Sequence, residues 1–402
     1  MSANTNFFTS QQPAAVFKLK VLEDYLTPWA MKVASKAPRE VAYVDGYAGA
    51  GQYDDAHKGS PLYAVDIARK LAAQNRIMHI HLVERDRAHA ETLRHAVAAQ
   101  GQGAGPVYLH HGAVEEQIDA ILNDIGTRPA LFFLDPFGTA LPYDVVASKL
   151  LLRPARSTEV LLNFSLSTVW RIGGIVRKGA SASSGETVTL LRGDRFLGGP
   201  WWREVFAEAR RQADVSGDSS SAATAASYVA REYMQRMTGE TAHNVISVPI
   251  RRTPSEGPIF TLMLFYQHFA APMLFADAAA RAHRKWRQVN SENYYQGLLD
   301  DTQGSLFDLQ ETFDQQVVAE QTDVRNRAIA AIQTRLSSHL GQGQAVRICD
   351  DVPHWLGEHL GTAGASEVRQ AIKNLQKAGI TQGYTKDMVD GRAVILPARR
   401  GR

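Results

Sequence analysis

The stretch Val41-Ala-Tyr-Val-Asp-Gly-Tyr-Ala-Gly-Ala-Gly51 constrains this chain more than any other. Val41 to Val44 form a short, mostly apolar run, as a strand covered on both faces would. Asp45 stands where that strand ends. Gly46, Gly49 and Gly51 follow in the span where the chain must turn and bare its backbone. Ser60-Pro61 then opens an amphipathic run from Leu62 to Ala73, with serine as cap and proline at the first helical position. Strand, glycine loop and helix in that order describe a nucleotide or nucleoside cradle at the carboxyl edge of a parallel sheet.

The loop discriminates among ligands. Its glycines run G-x-x-G-x-G, so the dinucleotide fingerprint is absent, and so is a phosphate loop ending in Gly-Lys-Ser/Thr. A carboxylate at the strand end repels a pyrophosphate and suits a ligand bearing positive charge. S-adenosylmethionine, with an ammonium and a sulfonium, has that character. A tight turn without a ligand would use the same residues.

The pattern repeats downstream. Ile77 to Glu84 reads as a second strand, and Glu84 at its end suits the hydroxyls of a ribose. Asp86 competes for that role. Val107 to His111 is a short third strand; His110 and His111 are weaker candidates for chemistry. Ala130 to Leu134 is a buried fourth strand that delivers Asp135, followed by Pro136, Phe137 and Gly138. An exocyclic amine on a base is a poor nucleophile because its lone pair is delocalised. A carboxylate and a backbone carbonyl fixed by proline can hydrogen-bond that amine, and Phe137 can stack on the base, a contact worth about 1–3 kcal/mol. A duplex base would first have to be flipped out. The competing reading is a strand-end turn with Phe137 in the core.

Glu159 to Ser165 is a fifth strand, ending in Asn163 and Ser165, and Arg171 beyond it is a candidate phosphate contact. Residues 181–187 read as a mobile loop and 214–226 as a disordered stretch. His243 to Ile250 and Ile259 to Tyr266 are two strands with a turn-rich connection between them, an antiparallel hairpin. A parallel sheet finishing in a hairpin is the order expected of a class I methyltransferase, a Rossmann-like α/β fold. Phe17 to Ser35 and Pro272 to Asn290 read as flanking helices, the first kinked or broken at Pro28.

At 402 residues the chain is long enough for two domains, and 45% hydrophobic residues supply a core. The expected division is a methyltransferase-like domain over 1–300, a connector over 301–320 and a small domain over 321–402. Cys349 is the lone cysteine, which excludes a disulfide framework and any cysteine-based metal cluster; no metal is expected. No apolar run is long enough to span a membrane, and the start lacks a signal pattern. The expected location is the cytoplasm, away from membranes.

The last segment carries 12 Lys/Arg against 7 Asp/Glu from Gln321 onward, a net of +5, while the whole chain is +3. A basic module on a nearly neutral body suggests a polyanionic partner. Three helical patterns, Asp323 to Leu340, Val352 to Leu360 and Ser366 to Ala378, precede a hairpin from Thr381 to Leu396 with Asp390-Gly391 at its turn. That order is a winged helix-turn-helix. Arg369, Lys373 and Lys377 lie four residues apart along one face of the third helix, which would read a nucleic-acid groove. A protein-binding winged helix is the alternative.

Tyr43 to Gly51, Gly59-Ser-Pro-Leu62, Glu84, Phe133-Leu-Asp-Pro-Phe-Gly138 and Asn163-Phe-Ser165 resemble the three-Cys-motif partner protein family, TcmP, over most of the chain. The family is similar to class I methyltransferases. Its name reflects gene neighbourhood with a small three-cysteine protein that looks like a radical S-adenosylmethionine protein, which the resemblance implies as a partner. The loop from Asp45 to Tyr53 looks like that of a ribosomal-RNA adenine-N6 methyltransferase family. Asp135-Pro-Phe-Gly138 looks like the tetrad of a tRNA guanine-N2 methyltransferase family. Both act on an exocyclic amine.

The expectation is therefore an S-adenosylmethionine-dependent methyltransferase acting on an exocyclic amine of a DNA or RNA base. Asp45, Gly46, Gly49, Gly51 and Glu84 would bind the cofactor, and Asp135, Pro136 and Phe137 would form the catalytic corner. Asn163, Arg171, Arg369, Lys373 and Lys377 would meet substrate or nucleic acid. The rival is a weak or inactive methyltransferase-fold protein serving as a DNA-binding regulator or an assembly partner of the radical-S-adenosylmethionine-like protein.

Overall fold

Strands β1 (Glu40–Asp45), β2 (Ile77–Glu84), β3 (Val107–His111), β4 (Ala130–Leu134), β5 (Thr158–Ser165), β6 (Asn244–Ile250) and β7 (Phe260–Tyr266) make one seven-stranded sheet in the order β3-β2-β1-β4-β5-β7-β6. The first five are parallel, and β7 runs antiparallel between β5 and β6. This computed structural model describes residues 12–35, 38–53, 57–154, 157–218, 220–301, 306–384 and 393–398. The strands lie within a residue of the positions their apolar runs indicate, and the parallel sheet closing in a hairpin is the anticipated Rossmann-like fold.

Order on the sheet decides where a ligand can sit. The chain moves outward from β1 through β2 to β3, then returns to place β4 on the other side of β1. The crevice opens at such a reversal, beyond the carboxyl ends of the strands. Asp45 is in register with Leu82 of β2 and Phe133 of β4. Glu84 and Asp135 each lie two residues past those partners, so all three carboxylates reach one edge.

Helix α1 (Pro13–Val33) precedes the sheet, and between its strands come α2 (Ser60–Ala72), α3 (Arg87–Gln100), α4 (Val114–Ile125), α5 (Leu166–Val176), α6 (Ser184–Leu197), α7 (Trp201–Val215) and α8 (Ser221–Glu240). One core joins Phe132, Leu134, Leu162 and Phe164 of the central strands to Phe196, Trp202, Phe206 and Tyr233 of the last helices. Phe164 stacks on Phe196 at 5.3 Å and lies tilted against Tyr233 at 5.1 Å between centroids. Each such side chain contributes about 1.5–3 kcal/mol on burial, which holds the ends of β4 and β5 rigid beneath the crevice.

Several sequence expectations change. The stretch 181–187 is not a loop throughout: Ser183 accepts the Glu186 amide and Glu186 accepts the Ser183 amide, a capping box that starts α6. Likewise 214–226 enters α8 at Ser221, with Asp218 accepting from Ser220 and Thr224. Helix α1 runs without interruption through Pro28. Proline removes the bond to the carbonyl four residues back, that of Asp24. Arg281 supplies a donor to that carbonyl at 3.5 Å, while its Nε meets the Asp24 carboxylate at 2.9 Å.

The chain divides into two compact units, one from Leu26 to Gln267, the other of Gln12–Tyr25 with everything from His268. Two helices, α9 (Ala271–Asp301) and α10 (Leu306–Gly341), cover most of the expected connector. In the second unit α11 (Val352–Leu356) and α12 (Ala365–Lys377) precede the antiparallel pair β8 (Thr381–Tyr384) and β9 (Ile395–Pro397). Helix α11 is shorter than its pattern, ending at a left-handed Gly357. Val346 adds a bridge to β9, exchanging bonds of 2.9 and 2.7 Å with Ile395. The expected Asp390-Gly391 turn lies outside the described residues.

Candidate functional site

Asp45 is fully buried at the end of β1. Its Oδ1 accepts the Tyr47 amide at 3.2 Å, its Oδ2 accepts the Tyr43 hydroxyl at 3.3 Å, and the Ser60 hydroxyl also donates to it. Burial pushes this carboxyl up to about 7, against the three donors, and the like charge of Asp135 adds to the rise. None of these neighbours is a cation. A buried carboxylate in such company is matched by an arriving positive charge.

Ser60 was expected to cap α2. The cap position falls instead on Gly59, without a side-chain bond, and Ser60 turns its hydroxyl to Asp45. With Gly59 at the cap position, Ser60 is itself the first helical residue, where its hydroxyl does not point to the amides a cap residue would meet.

The glycine loop is laced to the strands around it. Gly46 donates to the Phe133 carbonyl at 3.0 Å and Ala48 to the Val83 carbonyl at 3.0 Å. Gly49 donates to Glu84 Oε2 at 2.8 Å, and Asp86 donates to Glu84 Oε1 at 2.7 Å. Each oxygen keeps a further lone pair, so Glu84 can still accept hydroxyls. Two of the glycines have different physical causes. A Cβ on Gly46 would come within 2.7 Å of Leu134 Cδ2. Gly49 has a φ of +63°, and a Cβ there would meet no described residue within 4 Å. Gly51, also left-handed, accepts the Gly59 amide at its carbonyl and so closes the loop.

Asp86, the competitor for the ribose role, is the cap of α3. Its Oδ1 accepts the His89 amide at 2.9 Å, a bond that holds its carboxyl below the usual range.

On the other side of β1, Asp135 emerges half-buried from β4, and Asn163 of β5 donates Nδ2–H to its Oδ1 at 2.7 Å. Pro136 is buried, whereas Phe137 is 66% exposed, which removes the reading of Phe137 as a core residue. Gly138 follows with a φ of +64°. Arg171 is exposed in the second turn of α5, its guanidinium bonded to the Ser167 carbonyl and the Thr168 hydroxyl. His110 pairs with His81 at 3.1 Å; burial lowers both imidazoles, His81 to about 4, so both are neutral near pH 7.

The structure therefore gathers Asp45, Gly46, Gly49, Gly51, Glu84, Asp135 and Asn163 at one sheet edge. Arg369, Lys373 and Lys377 belong to the second unit, on α12, whose inner face buries Val368, Ala371, Ile372 and Leu375. Lys373 and Lys377 are exposed and Arg369 is half-buried. The start of this helix is held by Asp277, which accepts the Ala365 amide at 2.7 Å, and by buried Glu367, which accepts the Gly364 amide at 2.9 Å and pairs with Arg325 at 3.2 Å.

Sequence reasoning missed Tyr43, Tyr47 and the true role of Ser60. Tyr43 was detectable: two residues before Asp45 on a strand, it shares that residue's face. Among the described residues no group of His, Cys, Asp and Glu is arranged to hold a metal ion, and no helix is long and apolar enough to cross a membrane.

No family model and no curated protein sequence matches the chain. Solved structures do. Trm1 from Pyrococcus horikoshii, in complex with S-adenosyl-L-methionine, is 10% identical over 66% of this chain and 58% of its own, with a TM-score of 0.33. The O-methyltransferase TomG from Streptomyces achromogenes, in complex with SAM, is 12% identical over 66% of this chain and 94% of its own, with a TM-score of 0.31. The plantazolicin methyltransferase BamL, in complex with SAH, is 10% identical over 63% and 85%, with a TM-score of 0.29. Likenesses of this size carry no argument about activity, so the functional reading rests on the residues above.

Proposed function

We propose that this chain is an S-adenosylmethionine-dependent methyltransferase acting on an exocyclic amine of a nucleic-acid base. One observation carries the reading: a fully buried carboxylate whose hydrogen-bond partners among the described residues include no cation, beside a left-handed glycine with no described residue on its outer side, with a second carboxylate within electrostatic reach on the adjacent strand. Asp45 would hold the ammonium of the cofactor, the loop from Gly46 to Gly51 would pass beneath its methionine end, and Glu84 would accept its ribose hydroxyls.

The bound cofactor supplies an electrophilic methyl group on sulfur. The chain supplies alignment and a proton acceptor. Asp135 accepts an N–H of the target amine, favouring a pyramidal nitrogen, and takes the proton that leaves. Pro136 fixes the backbone there, and exposed Phe137 would stack on the base.

The test is incubation with methyl-labelled S-adenosylmethionine and total cellular nucleic acid, followed by nucleoside mass spectrometry. A single labelled, N-methylated nucleoside is the expected result. Asp135→Ala should lower transfer by about 100-fold or more while affinity for S-adenosylhomocysteine stays within about twofold. No labelled nucleoside, with label on protein or small molecules instead, rejects the substrate class.

A second reading has its own observation. The order α10, the Val346 bridge, α11, α12, β8 and β9, with Lys373 and Lys377 exposed, supports a winged helix that docks on nucleic acid. In that reading the chain is a DNA-binding regulator or an assembly partner of the three-cysteine protein implied by the TcmP resemblance. Failure to bind either S-adenosylmethionine or S-adenosylhomocysteine would favour it.

A further inference from the structure

Asn163 was expected to touch substrate, yet its contact is with Asp135. The side chain is 1% exposed, and its Nδ2 lies 2.7 Å from Asp135 Oδ1. An ionised carboxylate only accepts hydrogen bonds. The amide must therefore turn its N–H₂ to Asp135 and its oxygen away. That oxygen, buried, meets no hydrogen-bond partner among the described residues.

An unpaired buried oxygen is unfavourable for the fold. On its own face of the sheet, Leu161 two residues earlier and the register partner Leu262 on β7 are fully buried apolar residues. A leucine at this position would satisfy that setting better than an asparagine. Asp135 is half-buried and can recover a hydrogen bond from water if the amide is removed. The stability of β5 thus gives no reason for the amide, whereas the orientation of Asp135 does.

We infer that Asn163 is a positioning residue that fixes the plane of the Asp135 carboxylate toward the target amine. It does so with a neutral donor, so the carboxylate keeps its negative charge for the amine proton, which a lysine or arginine at the same place would offset. The inference rests on the role given to Asp135 above and adds a specific partner to it.

The test is a double-mutant cycle on the full chain with Asn163→Leu, Asp135→Ala and the pair. Three quantities are read: the urea midpoint without ligand, S-adenosylhomocysteine affinity by calorimetry, and kcat and KM of methyl transfer. Asn163→Leu is expected to keep or raise the urea midpoint and to hold affinity within about twofold. It should lower kcat by about tenfold or more with KM little changed, and the pair should be no slower than Asp135→Ala alone. Asn163→Ser, smaller and still a donor, covers a poor fit of leucine and should also lose kcat without losing affinity. A lower midpoint with kcat unchanged, or a pair slower by the full Asn163→Leu factor, overturns the inference and leaves the methyltransferase reading standing. A wild-type chain that transfers no methyl group to nucleic acid overturns both.

Discussion

The buried Asp45 carboxyl makes cofactor binding a proton-linked event. Its folded value of about 7 stands well above its ordinary 3.8. The folded chain therefore holds this proton more tightly than the unfolded chain, and stability falls as pH rises between those two values. The favourable term is complete below about 4 and gone above about 7. Three units correspond to about 4 kcal/mol. A cation on the cofactor reverses the preference, since it pairs with the ionised form. Below 7 the cofactor must displace the proton, and its dissociation constant should rise about tenfold per pH unit; for one site titrating near 7 the rise from about pH 7.5 to about pH 5.5 is about 25-fold. The assay is calorimetric titration with S-adenosylhomocysteine across that range, in two buffers of different ionisation enthalpy. About one proton per site should be released at the acid end and a small fraction at the other. Asp45→Asn should flatten the profile and weaken binding at neutral pH. A wild-type affinity independent of pH, with no proton released, refutes the reasoning, and so does an unchanged slope in Asp45→Asn.

Gly49→Val places a β-branched residue at a φ of +63°, on a side where no described residue lies within 4 Å of a Cβ. It should lower stability by about 1–2 kcal/mol and abolish S-adenosylhomocysteine binding; unchanged affinity by calorimetry would count against the cradle. Gly46→Ala puts a methyl 2.7 Å from Leu134 Cδ2 and 3.1 Å from Val114 Cγ2, so urea unfolding should show a loss of about 1–3 kcal/mol. A neutral effect would mean that β4 and α4 yield more easily than their packing implies. Lys373→Ala with Lys377→Ala should weaken nucleic-acid binding and lower the slope of log affinity against log salt by about two. An unchanged slope would remove α12 from the nucleic-acid interface.

The first unit was legible because its strands are covered on both faces and read as apolar runs, each ended by a polar residue with a task. Asp45, Glu84 and Asp135 announce themselves in this way. The helices around them were less so. The Ser183-x-x-Glu186 box, and the parts of α9 and α10 outside the expected Pro272 to Asn290 and Asp323 to Leu340, lie in polar stretches where apolar periodicity gives little signal. Ser60 was misread because a hydroxyl at a helix start has two possible acceptors, and only the fold brings the Asp45 carboxylate to it. The bond between Asn163 and Asp135 was hidden for the same reason. Those residues are 28 positions apart and meet only once β4 and β5 pair.

A crystal structure with S-adenosylhomocysteine tests the central claim most directly. The account expects the ligand across the carboxyl ends of β1 and β2, its ammonium against Asp45, its ribose hydroxyls on Glu84 and its sulfur facing Asp135. A ligand bound elsewhere on the chain, or a cradle that stays empty at saturating ligand, would contradict it.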